Sequence, residues 1–217
     1  MTDRSPTTQS GSGAEEPIVL VIDDDESVRD AIGSLLHSVG LRFQTYNSAQ
    51  SFLQAELPTA PSCLVLDIRM PGQSGLDLQS ELVREEVHIP IIFITGHGDV
   101  PMAVKALKAG AVDFLAKPFR DQDLLDAVTA ALDLASRQRE DEKKLSDLRA
   151  CFDALTERER QIMLRVTDGL MNKQIAHELG VTEITIKIHR SNVMRKMRAK
   201  TLPALVRMVE ALGLRPG

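Results

Sequence analysis

The sequence predicts an α/β unit built on a doubly wound, five-stranded parallel sheet, followed by a long linker helix and then an all-α unit. Three observations carry this. Short apolar runs alternate five times with amphipathic helical patterns between residues 18 and 132, the rhythm of a parallel sheet joined by crossover helices. Residues 131–155 break that rhythm in a stretch free of Pro and Gly. Beyond them, short helical patterns follow one another, separated by Gly169 and Gly180.

In order, residues 1–16 are rich in Ser, Thr, Gly and Glu with almost nothing apolar to bury, and are expected to be disordered. Residues 18–22 form a buried-strand run that ends in Asp23, Asp24, Asp25 and Glu26. Val28, Ile32, Leu35, Leu36 and Val39 then recur at helical spacing up to Gly40. A second strand is expected at 43–46 and a short helix at 49–57. Residues 63–66 form an unbroken apolar run closed by Met70-Pro71-Gly72, which suits a central strand covered on both faces. Asp67 stands at its carboxyl end. A helix at 75–86, a strand at 90–95, a helix at 100–109 and a strand at 112–116 complete the alternation, which ends at Lys117-Pro118.

Asp23 and Asp24, Asp67, Thr95 and Lys117 are therefore expected on one edge of one sheet, the edge at which open α/β sheets bind ligands. An acid there is a nucleophile, a metal ligand or a helix cap. Carboxylates within a few ångströms repel one another unless a cation joins them, and an oxygen-only cluster with room for water suits Mg²⁺. With the Lys117 ammonium and the Thr95 hydroxyl added, the set suits a phosphoryl group attacked in line by a carboxylate, for which Asp67 is the candidate. Each residue also has a plainer role. Asp25 and Glu26, and equally Asp23 and Asp24, are residues of a helix start. A Thr after a strand is usually a strand residue, and a Lys before Pro a solvated one. Their joint occurrence favours the phosphoryl site.

Composition sets outer bounds. With 217 residues, 43% hydrophobic and 26% charged, two globular domains are expected. No apolar run approaches a membrane span and no export signal is visible, so the protein is expected in the cytoplasm. Cys63 and Cys151 lack the spacing of a zinc or redox motif and read as ordinary thiols. From residue 155 onward twelve Lys and Arg face six Asp and Glu, a balance of +6, which leaves −11 for the earlier residues of a chain whose total is −5. A basic end behind an acidic body points to a module that meets polyanions.

Val21-Ile22-Asp23-Asp24-Asp25, Leu66-Asp67-Ile68-Arg69-Met70-Pro71-Gly72, Ile94-Thr95-Gly96-His97-Gly98-Asp99 and Lys117-Pro118-Phe119 resemble the receiver domain of bacterial two-component response regulators, a flavodoxin-like fold. The resemblance implies that a sensor histidine kinase phosphorylates Asp67. It implies that Asp24, Asp67 and the Arg69 backbone carbonyl hold Mg²⁺, with Asp23 assisting through water, and that the peptide before Pro118 is cis. It also implies a switch pair, Thr95 and Phe114, in which the aromatic side chain follows the hydroxyl toward the phosphate. Many members have Tyr where Phe114 stands, so only the rotamer half of that switch is retained.

The stretch after 131 reads as one long exposed helix, with Glu140 and Lys144 at pairing distance; the alternative is a flexible charged linker. Thr156 and Glu159 have capping-box spacing before Ile162, Met163 and Val166. A short helix at 172–180 and another from 183 to about 198 have helix-turn-helix spacing. The last should bury Ile186, Val193 and Met197 and leave Lys187, Ile188 and Ser191, with Arg195 or Arg198, on a face that fits a major groove.

Leu155-Thr156-x-Arg158-Glu159, Gly169-Leu170-x-Asn172-Lys173-x-Ile175-Ala176 and Thr185-Ile186-Lys187-x-His189 resemble the four-helix LuxR-type DNA-binding domain, and with a receiver this is the FixJ/NarL class. Met171 stands where Ser is common, so its helix lacks the usual hydroxyl cap. The implied domains are a receiver at 17–133, a linker helix at 134–153 and a DNA-binding domain at 154–217. The implied DNA contacts are Lys173, Lys187, Ile188, His189, Arg190, Ser191, Arg195 and Arg198; His177 and His189 read as packing or phosphate-contacting groups. The expected function is a phosphorylation-activated transcriptional activator that dimerises, binds promoter DNA and contacts RNA polymerase. Two other readings compete. One is a receiver acting chiefly through protein contacts, as chemotaxis receivers do, with the basic tail binding DNA only incidentally. A haloacid-type phosphatase would need an Asp-x-Asp motif, and Asp67-Ile68-Arg69 lacks the second acid.

Overall fold

The computed structural model describes residues 16–96 and 100–214, so the tail expected to be disordered falls, except for Glu16, outside the described residues, as does the loop 97–99. The chain divides into two compact units, Met1–Arg139 and Glu140–Gly217.

The first unit runs β1 (Ile18–Ile22), α1 (Glu26–Ser38), β2 (Arg42–Tyr46), α2 (Ala49–Leu53), β3 (Ser62–Asp67), α3 (Gly75–Arg84), β4 (Ile91–Thr95), α4 (Val100–Lys108), β5 (Asp113–Ala116) and the start of α5 (Asp121–Asp153). The sheet is wholly parallel with strand order β2-β1-β3-β4-β5. Side chains of the central strands alternate between two cores because the strand period is two. Leu20, Ile22, Leu64, Leu66 and Phe93 pack with Phe52 and Leu78 on one face. Val19, Val21, Cys63, Val65, Ile92 and Ile94 pack with Ile32, Leu36, Leu124 and Val128 on the other. Burial on both faces is why these strands read as continuous apolar runs. The strand order reverses direction beside β1 and β3, and their carboxyl ends flank the crevice that such a reversal creates.

In two places the boundaries depart from expectation by more than two residues. Helix α2 stops at Leu53 instead of Leu57; Leu57 itself precedes Pro58, which disfavours helical backbone at that position. Helix α5 is continuous from Asp121 to Asp153, so the expected linker helix is not a separate element; the stretch contains neither Gly nor Pro to break it. Lys144 meets Glu140 at 3.9 Å and Asp141 at 2.9 Å on its exposed part, where a helix was expected.

In the second unit, α6 (Glu157–Thr167), α7 (Asn172–Leu179), α8 (Glu183–Lys196) and α9 (Leu202–Ala211) follow the end of α5. Leu155, Met163, Val193, Met197, Leu205 and Val209 form one core with Leu148 and Phe152; Ile162, Val166, Ile175 and Ile186 form another. Thr156 and Glu159 make the anticipated capping box. Met171 offers no side-chain cap, and the Gln174 side chain compensates by accepting the Met171 N–H at 2.7 Å. Helix α8 ends two residues earlier than expected. Met197 is its cap and Arg198 takes a left-handed φ of 54°, which places Arg198 beyond the helix, not on its groove face. Among the described residues no helix is long and apolar enough to cross a membrane.

Candidate phosphoacceptor site and nucleic-acid interface

The sheet edge gathers the predicted residues. Asp23 follows β1 directly and is fully buried, Asp67 ends β3 and is 6% exposed, and Asp24 is exposed. Carboxylate oxygens of the three lie within 4.8 Å of one another. Lys117 Nζ, at the end of β5, donates to Asp23 Oδ2 at 2.6 Å and stands 3.5 Å from Asp67 Oδ2. The ammonium therefore pairs with both carboxylates and lies closer to Asp23. Burial pushes the Asp67 carboxyl above the usual range for an aspartate; Lys117 pulls it back, Asp23 pushes it up again, and the Arg69 N–H, 3.4 Å from Oδ1, opposes the rise.

The surrounding loops are held by local chemistry. Asp25 is the N-cap of α1 and accepts from the Ser27 N–H, the capping role the sequence suggested. Asp23 Oδ1 accepts the Asp25 N–H at 3.0 Å, which leaves its other oxygen for Lys117. Thr95 is fully buried at the end of β4, and its carbonyl accepts the Lys117 N–H at 2.7 Å. Phe114 is half-buried, pairs in register with Phe93 and packs against the core of that face. The Lys117–Pro118 peptide is cis, as the resemblance implied. Three oxygen donors, one of them open to solvent, fit Mg²⁺, which prefers carboxylate oxygen and retains water. Burial pushes the Cys63 thiol up to about 12, so it is an inert core group.

Two residues that position this site were not singled out in the sequence. Arg29 Nη1 donates to the carbonyls of Asp23 at 2.8 Å and Asp24 at 3.0 Å, clamping the acidic loop. Its position one turn into α1, pointing back over the start of the helix, was the available signal. Gly75 begins α3 against the end of β3, where a β-carbon would overlap the Asp67 carbonyl oxygen and lie 3.1 Å from the Ile68 Cα. Gly72 sits nearby with a φ of 85° and open space around it, so it is glycine for backbone reasons and Gly75 for lack of room.

In the second unit α8 exposes Lys187, Ile188, Ser191 and Arg195 on the side away from Ile186 and Val193, and α7 exposes Lys173. Arg190 differs from this set. It is half-buried, and its Nη1 donates to Asn172 Oδ1 at 3.0 Å, tying α8 to the start of α7. His189 is half-buried with Nδ1 turned inside. Lys196 donates to Glu159 Oε2 at 2.6 Å and to the Ala154 carbonyl at 3.1 Å, joining α8 to the start of α6.

A receiver-type acidic site on one unit and a basic helix-turn-helix on the other define a response regulator that acts on transcription. Residues 19–129 match the family described as response regulator receiver domain, and residues 153–209 the one described as bacterial regulatory proteins, luxR family. The chain belongs to the two-component response regulators that carry a LuxR-type DNA-binding domain. It is 52% identical over 217 residues to nodulation protein W of Bradyrhizobium diazoefficiens, covering 99% of this chain and 96% of that one. It is 46% identical over 198 residues to the transcriptional regulatory protein FixJ of Azorhizobium caulinodans, covering 91% and 94%. Among solved structures it resembles the response regulator StyR with a TM-score of 0.82 and 47% identity, covering 90% of this chain and 99% of that one.

Proposed function

We propose that Asp67 accepts a phosphoryl group from a sensor histidine kinase and that this event controls promoter binding. The observation that carries the reading is the Asp67 carboxylate, at the carboxyl end of β3, 3.5 Å from Lys117 Nζ and grouped with Asp23 and Asp24. An Asp67 oxygen attacks phosphorus in line, the bond from phosphorus to the donor's imidazole nitrogen breaks, and an acyl phosphate forms. Lys117 attracts the phosphoryl oxygens, and the Thr95 hydroxyl donates to one of them. Asp24, Asp67 and the Arg69 carbonyl would hold Mg²⁺, with Asp23 reaching it through water. When bound, the ion neutralises charge on the phosphoryl group.

Movement of Thr95 toward the phosphate leaves space for Phe114, and this change reaches the α4 and β5 face. Val104 and Leu107 on α4 are 44% and 46% exposed, which supports that face as the homodimer surface of the phosphorylated protein. Pairing two DNA-binding units raises avidity on an operator without new base contacts. Lys173, Arg195 and Arg198 contact phosphates, while Lys187, Ile188 and Ser191 reach base edges; His189 and Arg190 support them from partly buried positions. The receiver runs 17–133 and the DNA-binding domain 154–217, with residues 134–153, the later part of α5, as the connection. The protein works in the cytoplasm as an activator that contacts RNA polymerase.

The test is Asp67→Asn in the full chain, treated with a small phosphodonor and Mg²⁺ and followed by labelling, by sedimentation and by promoter binding. The amide forms no acyl phosphate, so labelling, dimerisation and the gain in promoter affinity should all disappear. Undiminished labelling overturns the assignment.

A further inference from the structure

We infer that Ile184 is a specificity-determining residue, and that α8 reads its operator through two thymine methyl groups, one at Ile184 and one at Ile188. The inference rests on the DNA-binding reading above. Among the described residues of the second unit, the large hydrophobic side chains left well exposed are Met171, Ile184 and Ile188, at 67%, 70% and 58%. All three lie on the helix-turn-helix, and α6 and α9 carry none. The same helix buries Ile186 and Val193 almost completely, so the exposed pair is not a remainder from a core too small to hold it.

Ile184 and Ile188 are one turn apart on one face of α8, with Lys187 beside them. On the same face of α8 the cations Lys187 and Arg195 are exposed, whereas Arg190 and Lys196 are tied to Asn172 and Glu159. An apolar pair inside a cationic face complements a surface that is polyanionic at its rims and apolar at points within. The major groove is such a surface, and the thymine C5-methyl is the apolar group it displays at base edges. Four residues of helix advance about 6 Å, against about 3.4 Å per base step, so the two methyls should lie about two base steps apart. Isoleucine suits the contact because its branched side chain has one strongly preferred rotamer in a helix and loses little freedom on docking.

The phosphorylated full-length protein is used to select a site from random duplexes, and that site is remade with deoxyuridine replacing each thymine in turn. This substitution removes one methyl and keeps every hydrogen-bonding group. Affinities are measured by fluorescence anisotropy for the parent, Ile184→Ala, Ile188→Ala and Ile184→Val. Two thymines about two steps apart should each cost the parent about fourfold when demethylated, the equivalent of one buried methyl. Ile184→Ala should lose the response at one of them alone, Ile188→Ala at the other, and Ile184→Val should keep both. Methyl loss without effect, or an effect that persists unchanged in Ile184→Ala, overturns the inference while leaving DNA binding intact. Methyl-insensitive affinity combined with lost transcription in Ile184→Ala assigns the face to a protein partner and also overturns it. Failure to select any site overturns the DNA-binding reading itself.

Discussion

Gly75→Ala isolates how the fold aims Asp67. The added methyl would overlap the Asp67 carbonyl oxygen and lie 3.1 Å from both the Ile68 Cα and the Leu66 Cγ. Carbon pairs settle at about 3.5–4.0 Å, so even the looser contacts fall short by roughly half an ångström. The strand end has no freedom to yield. Asp67 pairs in register with Ile94, the Ile68 N–H donates to the Ile94 carbonyl at 3.1 Å, and Leu66 is fully buried. Helix α3 must move instead, stretching the 2.9 Å hydrogen bond from the Gly75 N–H to the Ile68 carbonyl. Overpacking of this kind costs about 1–3 kcal/mol, and losing the bond adds about 1 kcal/mol, so a loss of roughly 2–4 kcal/mol is expected. Gly72→Ala is the control: it meets no atom within 4 Å, and its left-handed φ costs only about 1 kcal/mol. Calorimetric unfolding of the full chain should show the larger drop for Gly75→Ala, and labelling by a small phosphodonor should slow in that variant more than in Gly72→Ala. Parental stability and labelling in Gly75→Ala would refute the packing argument.

Arg29→Ala leaves every acid in place but releases the carbonyls of Asp23 and Asp24, and should weaken Mg²⁺ binding about tenfold by titration calorimetry. Glu159 gives a pH signature. Burial alone would push its carboxyl up, but bonds from Lys196 and from Thr156 outweigh burial and hold it below the ordinary 4.5. A depressed carboxylate stabilises the fold above its unfolded value, and that stability fades as pH falls through the lower folded value. Between about pH 6 and about pH 3 the melting temperature of the parent should therefore fall more steeply than that of Glu159→Gln. Lys187→Ala should cost about 1–3 kcal/mol on the operator and much less on random DNA, whereas Lys173→Ala should weaken all sequences alike and flatten the salt dependence by about one unit. Equal losses from Lys187→Ala on both DNAs would mean that a different face of α8 enters the groove.

The amino-acid sequence by itself determined the strands, their order along the chain and the placement of Asp23, Asp67, Thr95 and Lys117 at strand ends. Continuous apolar runs that stop abruptly at a polar residue mark buried parallel strands, and parallel strands share one carboxyl edge. Caps were equally legible, because Asp25, Thr156 and Glu159 act on backbone groups two or three residues away. Only the tertiary structure decided which carboxylate Lys117 lies closer to, since Asp23 lies 94 residues away and is chosen by strand register and burial. The same holds for the missing room at Gly75, the bond from Arg190 to Asn172 and the pair of Lys196 with Glu159. Arg190 and Lys187 are both cations on one helix; helical spacing put Lys187 on the groove face, and resemblance alone added Arg190 to the DNA contacts. The packing of α8 on α7 separates them, because the direction a side chain faces depends on what the other elements leave exposed.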